Sequence, residues 1–311
     1  MDGLFTATFM AALVSGSILA GMPLLLAALG ETVSERAGVL NIGLEGMMLV
    51  GGYTGFVAAF YLHSSWLGLL GGAAGGLVTS IIVAVFCVRL GLDQIVVGIA
   101  VLITAEGVTS VLQRAQFGTT YPRLDAVATV EIPLLAKIPV LGPSVFSQPL
   151  IVYLGVALVV LLHWILRYST VGLDLRAAGE KPRALDSAGV SVIRVRSTAV
   201  LVTGAMAGLG GAYMAIVGAG IFVPFMTHGA GFIAIVLAML ARGKAAWVLI
   251  GALLFGMSVS LSTALQLVGV DVPQDVVNML PFVAVMVALV LFARRAYVPA
   301  ALGVPYVRDS R

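Results

Sequence analysis

The stretch Glu31-Thr32-Val33-Ser34-Glu35-Arg36-Ala37-Gly38-Val39-Leu40-Asn41-Ile42-Gly43-Leu44-Glu45-Gly46 sets an amide and a carboxylate, Asn41 and Glu45, at the start of a long apolar run. A carboxylate within hydrocarbon costs about 2.5–3.5 kcal/mol even on lenient insertion scales, so it persists only with a partner or a wet cavity. Asn41 and Glu45 are four residues apart, which predicts that they share one helix face. The glycines around them let another backbone come close. Such a helix lines a polar path instead of merely anchoring a protein. Glu45 either faces that path or accepts backbone N–H groups in a glycine-rich bend; at this level both readings stand, and Asn41 follows Glu45.

Working outward, composition decides the class. The chain has 311 residues, 60% hydrophobic and 10% charged, with mean hydropathy +1.12. Soluble domains carry about 25% charged residues, so a water-soluble globule is excluded. Apolar stretches near the ~20 residues of a membrane-spanning helix fall at 4–29, 37–62, 66–88, 94–112, 149–166, 198–220, 229–241, 245–269 and 275–293. The expected fold is all-α, a polytopic bundle of eight to ten transmembrane helices forming one domain over 1–311. Segment 229–241 is short, which predicts a re-entrant piece or, joined to 221–228, a broken helix. The first span reads as retained, since no Lys or Arg precedes it.

Basic residues orient the bundle. With nine crossings and the N-terminus outside, the inner side receives Arg36, Arg89, the cluster Arg167/Arg176/Lys181/Arg183/Arg194/Arg196, Arg242, Lys244, Arg294, Arg295, Arg308 and Arg311. Arg114, Arg123 and Lys137 remain outside. Glu31, Glu35 and Arg36 then sit at the inner mouth, where an interfacial ion network setting the angle of the second span is expected. Glu106, with Gln94 and Thr104 nearby in sequence, is expected to be buried mid-span, facing the bundle interior or a cavity, and joins Asn41 and Glu45 as a candidate for the substrate path.

Two hydrophilic stretches interrupt the spans. The outer one, 113–148, has repeated X-Pro pairs that favour extended or turning backbone. Its frequent apolar residues predict a loop packed on the bundle. The inner one, 167–197, carries readable helix punctuation: Pro182 suits a first turn and Gly189 the position past an end. The two-turn helix at 182–188 is marginal alone in water. Something must therefore pack on Ala184, Leu185 and Ala188. Glycine, 37 residues, exceeds the ordinary ~7%, and four-residue spacings such as Gly51/Gly55, Gly72/Gly76 and Gly204/Gly208 predict close helix contacts. Irregular Gly-rich pieces at 41–55 and 224–231 are the pointer to a polar path that repeat-built transporters show.

Several chemistries have no residues to carry them. Cys87 is alone in an apolar span, so no disulfide framework exists. His63, His163 and His228 lack ligand spacing, so no metal site is expected. No basic groove with interleaved aromatics suggests nucleic acid. There is no intramembrane His–Asp pair or aspartate dyad, so no catalytic residues are assigned and an enzyme is not expected.

The chain resembles the membrane permease subunits of ABC-type importers in the branched-chain amino acid and simple-sugar group, and within it looks most similar to nucleoside/simple-sugar permeases. Glu35–Met48, Arg176 through Val190, and Gly231–Val236 with Leu254–Gly256 carry the match, within a resemblance spanning about 20–295. Lys181 replaces the Asn common in that family's coupling segment, and the 241–247 turn lacks an expected Pro. The resemblance implies a second permease chain, often not identical, with a pore between the two. It also implies two cytoplasmic ATPase subunits and an extracytoplasmic binding protein, working in a bacterial plasma (inner) membrane. By the same resemblance Arg176, Gly179, Glu180, Pro182, Ala184, Leu185, Ala188 and Gly189 form the ATPase coupling segment. No phosphate loop is present, so no cofactor is expected here and ATP binds the partner. The competing reading is an ion-coupled secondary transporter using Glu45 and Glu106 as a relay.

Overall fold

Apolar runs become helices, and their boundaries fall where capping or positive-φ residues stand. The computed structural model describes residues 7–133, 135–138, 140–267 and 298–307, with Met279, Phe282, Val283, Met286, Val287 and Val290. Helix α1 (Ala7–Arg36) spans 30 residues, about 45 Å. It therefore absorbs Glu31–Arg36, which hydropathy alone leaves outside the first span. The chain turns at Gly38, whose φ of +87° belongs to the left-handed region that glycine enters freely. Helix α2 (Leu44–Leu62) then runs back.

Helix α3 (Ser65–Val83) starts at Ser64, whose hydroxyl accepts the Leu67 N–H, and continues as a π-helical turn, Ala84–Arg89. Asp93 caps α4 (Gln94–Phe117) by accepting the Ile95 and Val96 N–H groups, both at 2.9 Å. The outer segment contributes the short α5 (Leu141–Val145). After it come α6 (Leu150–Tyr168), α7 (Thr170–Glu180), α8 (Pro182–Ser187) and α9 (Val192–Tyr213). A second π-helical turn, Met214–Ala219, extends α9. Helices α10 (Ala230–Ala241) and α11 (Ala245–Leu267) follow.

Five described stretches are long and apolar enough to cross a membrane: Phe9–Arg36, Ser65–Arg89, Gln94–Phe117, Leu150–Tyr168 and Val192–Ala219. Helices α2, α10 and α11 pack with them to complete an all-α bundle. The expected ninth span, 275–293, and Arg294, Arg295, Arg308 and Arg311 lie outside the described residues, apart from the six isolated positions named above.

Glycine lets the helices touch backbone to backbone. A Cβ at Gly51 would strike Gly208, one at Gly76 would strike Gly204 and Gly208, and one at Gly72 would strike Ala212. Three helices, α2, α3 and α9, thus meet along one glycine seam. On the other side α1 holds α11 the same way, with Gly16 against Ser260 and Gly256 against Ser17. The buried cluster of Leu24, Leu25, Leu29, Met47, Met48, Val200 and Tyr213 lies between these seams.

The outer segment is more ordered than an X-Pro-rich loop suggests. Gln113–Phe117 continues α4, and a short antiparallel pair, β1 (Thr129–Glu131) with β2 (Ser147–Pro149), brackets α5. The segment lies on the bundle: Gln148 Nε2 donates to Ser15 Oγ (3.1 Å) and Leu124 N–H to Gly220 O (2.8 Å). Arg123 lies against Gly220 at this end. At the opposite end are Arg36, the Arg242–Lys244 turn and α7–α8.

Candidate translocation site and coupling surface

The α1–α2 corner corrects one sequence expectation. Asn41 lies in the turn before α2, not on a helix, so it does not share a helical face with Glu45. The corner is held by side chains instead. The Asn41 backbone N–H donates to Glu31 Oε1 (3.0 Å), Asn41 Nδ2 to Met47 Sδ (3.3 Å), and Leu40 N–H to Gln94 Oε1 (2.8 Å). Glu31 and Glu35 are enclosed, at 0% and 6% exposure. They are therefore enclosed in the corner rather than exposed at an interface, and the half-buried Arg36 donates to Leu166 O (3.1 Å). Glu31 Oε2, Ser34 Oγ, Glu35 Oε1 and Asn41 Oδ1 are buried without hydrogen-bond partners among the described residues, an arrangement that costs free energy.

Glu45 occupies the first turn of α2 and its carboxylate crosses to another helix. Oε1 accepts the Gly229 N–H (2.8 Å) and Oε2 accepts the Gly231 N–H. Those donors belong to the start of α10, which has no side-chain cap of its own. A negative charge at a helix N-terminus is favourable, so Glu45 is the cap that α10 lacks. A Cβ at Gly231 would strike the Glu45 backbone, so only glycine fits there. The structure thus realises the second of the two roles open to Glu45.

Between α9 and α10 the chain is irregular. Gly220 (φ +68°), Phe225 (+63°), His228 (+44°) and Gly229 (+85°) all adopt left-handed backbone. Such conformations are strained for Phe and His and persist where the surroundings over-determine them. This is the broken helix expected from 221–241. Phe222 is fully buried, edge-on to Tyr53 at 5.3 Å and beside Gly52. The segment therefore descends alongside α2 from Gly52 to Glu45. Non-helical backbone at such depth is tolerated only where protein or a cavity surrounds it. A cavity of about 790 Å³ does adjoin it, walled by α1, the π turn of α9 and α11.

Other polar residues of α2 and α4 are engaged elsewhere or turned away among the described residues. Gln94 braces the corner, Thr104 is exposed on α4, and the Tyr53 hydroxyl donates to Gln116 Oε1 (2.6 Å). Glu106 is half-buried, not buried, on the flank of the α4 face that packs against α2, and its carboxylate bonds no described residue. It forms no pair with Glu45.

The inner segment folds as its punctuation predicts. Pro182 occupies the first turn of α8 and Gly189 (φ +86°) follows its end. What packs on it is the chain itself. Leu185 is buried with Ala178 and Val192, and Tyr306 closes over them. Ala184, Ala188 and Gly189 remain exposed, as do Arg176 and Glu180 on α7, while Pro182 is half-buried. Gly179 is buried where α7 presses on the Arg36 carbonyl.

Sequence reasoning missed Arg196. It is 2% exposed, and its guanidinium donates to Ala37 O (3.0 Å), Val304 O (2.7 Å), Ala178 O (3.1 Å) and Ala301 O (3.4 Å). It joins α9, α7, the 298–307 segment and the α1–α2 corner. Its only signal in the sequence was membership of a basic run, shared with five solvent-facing candidates.

Residues 13–291 match the family described as the branched-chain amino acid transport system permease component. The chain belongs to this permease family. Among similar proteins, the guanosine ABC transporter permease protein NupQ of Bacillus subtilis is 36% identical over 96% of this chain and 97% of its own length. The nucleoside ABC transporter permease protein NupC of Lactococcus lactis subsp. cremoris is 32% identical over 96% and 97%. The putative glucose ABC transporter permease protein TsgC13 of Haloferax volcanii is 34% identical over 83% and 81%. These relatives are transport components rather than enzymes. The permease is thus a multi-pass membrane protein whose family implies a second permease, an ATPase and a binding protein as partners.

Proposed function

We propose that this chain, as a single permease domain, is one half of the pore of an ATP-driven importer for nucleosides or related sugars in a bacterial plasma membrane. It pairs with a second, non-identical permease. Two cytoplasmic ATPase subunits bind ATP, and the permease itself binds no cofactor. An extracytoplasmic protein delivers the cargo. The observation that carries this reading is the near-full-length similarity to nucleoside and sugar ABC permeases.

The structure supports a route from ATPase to pore. The exposed Arg176, Glu180, Ala184 and Ala188 form a contact face on α7–α8. Behind it, Arg196 bonds both Ala178 of α7 and Ala37 of the corner. The corner runs through Asn41 and Glu31 into Glu45, which holds the start of α10. Movement of α7–α8 is therefore passed to the irregular 221–229 segment through hydrogen bonds and packing. ATPase closure biases such a bundle between inward and outward openings only by its differential contact with the two states.

No observation favours the ion-coupled alternative, since Glu45 is committed to backbone donors and Glu106 is not joined to it. The test is uptake of radiolabelled guanosine into proteoliposomes. With the second permease, ATPase and binding protein present, ATP-dependent uptake is expected. Uptake by this chain alone, driven by an ion gradient and indifferent to ATP, overturns the reading.

A further inference from the structure

We propose that the cavity between α1, α11 and the 221–230 segment is a solute-binding site for a nucleoside, with the base inward and His228 as its hydrogen-bonding residue. The inference deepens the importer reading and rests on it.

Size and wall chemistry carry the choice. The cavity's ~790 Å³ lies within the roughly 300–1,000 Å³ of small-molecule sites. Among the described residues its walls are apolar, with Met214, Ile233, Phe255 and Phe282 among them, and the polar side chains are Thr227, His228 and Ser260. Ser260 Oγ already donates to Leu13 O (2.9 Å), which leaves it only an acceptor role. Thr227 and His228 bond no described residue through their side chains. Three polar groups suit a planar base, which presents two apolar faces and a short hydrogen-bonding edge. Bound base-inward, a nucleoside leaves its ribose hydroxyls at the open mouth, whereas a hexose is hydroxylated on nearly every carbon and brings hydroxyls against the apolar walls. Each hydroxyl buried without a partner weakens binding by about tenfold or more, so these walls discriminate against it.

The backbone supports the same assignment. His228 stands in left-handed conformation directly before Gly229, whose N–H is held by Glu45. Glu45 is thereby a positioning residue that fixes His228 at the cavity wall. Glu45 thus bonds the backbone directly beside the left-handed His228, and backbone strain of this kind clusters at ligand sites.

The experiment uses the complete transporter in membrane vesicles without ATP. Cys87 is buried at 2% exposure, so Ala20→Cys supplies a reporter thiol on the cavity wall. Guanosine is expected to slow its reaction with a small thiol reagent about tenfold, and glucose to leave it unchanged. Equal protection by glucose overturns the substrate class; protection by neither, as when lipid fills the cavity, overturns the site. His228→Ala is expected to lower both protection and uptake about tenfold, the worth of one hydrogen bond to a polar ligand. His228→Asn, which tolerates the left-handed backbone and keeps a donor, is expected to recover part of both. Unchanged protection in His228→Ala also overturns the assignment. Because protection is read without ATP, ATP-independent uptake removes the importer reading while leaving this site standing. ATP-driven uptake without protection does the reverse.

Discussion

At the residue scale, two charged side chains hold the functional parts in place, and they differ in how visible they were. Glu45 stood out because a carboxylate opening an apolar run demands an explanation. Its partners, 184 and 186 residues away, did not. Glu45→Gln replaces a charged acceptor of two backbone donors with an amide that can accept through one oxygen only. Hydrogen bonds to charged groups are worth about 1.5–3 kcal/mol, so a loss of about 2 kcal/mol is expected. It reads as a lower melting temperature of the detergent-purified permease; an unchanged one argues against the cap. Arg196 was hidden in a basic run, because its partners lie 18, 105, 108 and 159 residues away. Its planar fork supplies five donors in fixed directions, which a lysine does not match. In the complete transporter, Arg196→Lys is expected to retain ATPase binding and ATP hydrolysis while lowering solute moved per ATP. Equal loss of both activities would mark it as a purely structural tie.

At the element scale, helix ends were legible because punctuation is local. Pro182 and Gly189 bounded α8, and the short seventh span was recognisable as half a helix. Asn41 was misread for the opposite reason: an i, i+4 argument assumes continuous helix, and the backbone turns at Gly38 and resumes helix only at Leu44. The cover on α8 was likewise illegible, because Tyr306 arrives from distant sequence. That cover changes how the coupling surface should be tested. Leu185→Asp would bury a charge in the permease itself, so loss of the ATPase would follow from a damaged fold. Ala188→Arg adds bulk and charge on the exposed face instead. It is expected to leave the melting temperature unchanged while abolishing co-purification with the ATPase; full retention of the ATPase would remove that face from the interface. The glycine seam offers a matched pair. Gly208→Val places methyl groups into the backbones of Gly72 and Gly76, and overpacking of this kind costs about 1–3 kcal/mol or more. A methyl group on Gly107 would meet nothing within 4 Å, so Gly107→Ala is expected to be neutral or to stabilise α4 by up to about 1 kcal/mol. Comparable destabilisation by both would refute the seam.

At the scale of the whole molecule, the basic residues separate along the bundle axis. Arg36, Arg196 and the Arg242–Lys244 turn gather with α7–α8 at one end, while Arg123 lies with the outer segment at the other. Positive charge is retained on the cytoplasmic side, so this separation orients the protein. Ser187 and Thr120 are exposed near the two ends. In intact cells an impermeant thiol reagent is expected to label Thr120→Cys and to spare Ser187→Cys until the membrane is opened. The reverse pattern would invert the topology and detach α7–α8 from any cytoplasmic ATPase.

Hydropathy and end signals are properties of contiguous residues, so the sequence by itself determined the all-α membrane class, the short helix opened by Pro182 and the family resemblance. The joining of Glu45 to Gly229 and Gly231, the Arg196 tie, the packing of Tyr306 over Leu185 and the cavity beside His228 were decided only by tertiary structure. Each brings together groups remote along the chain, and such contacts leave no period, cap or run in the sequence that would announce them.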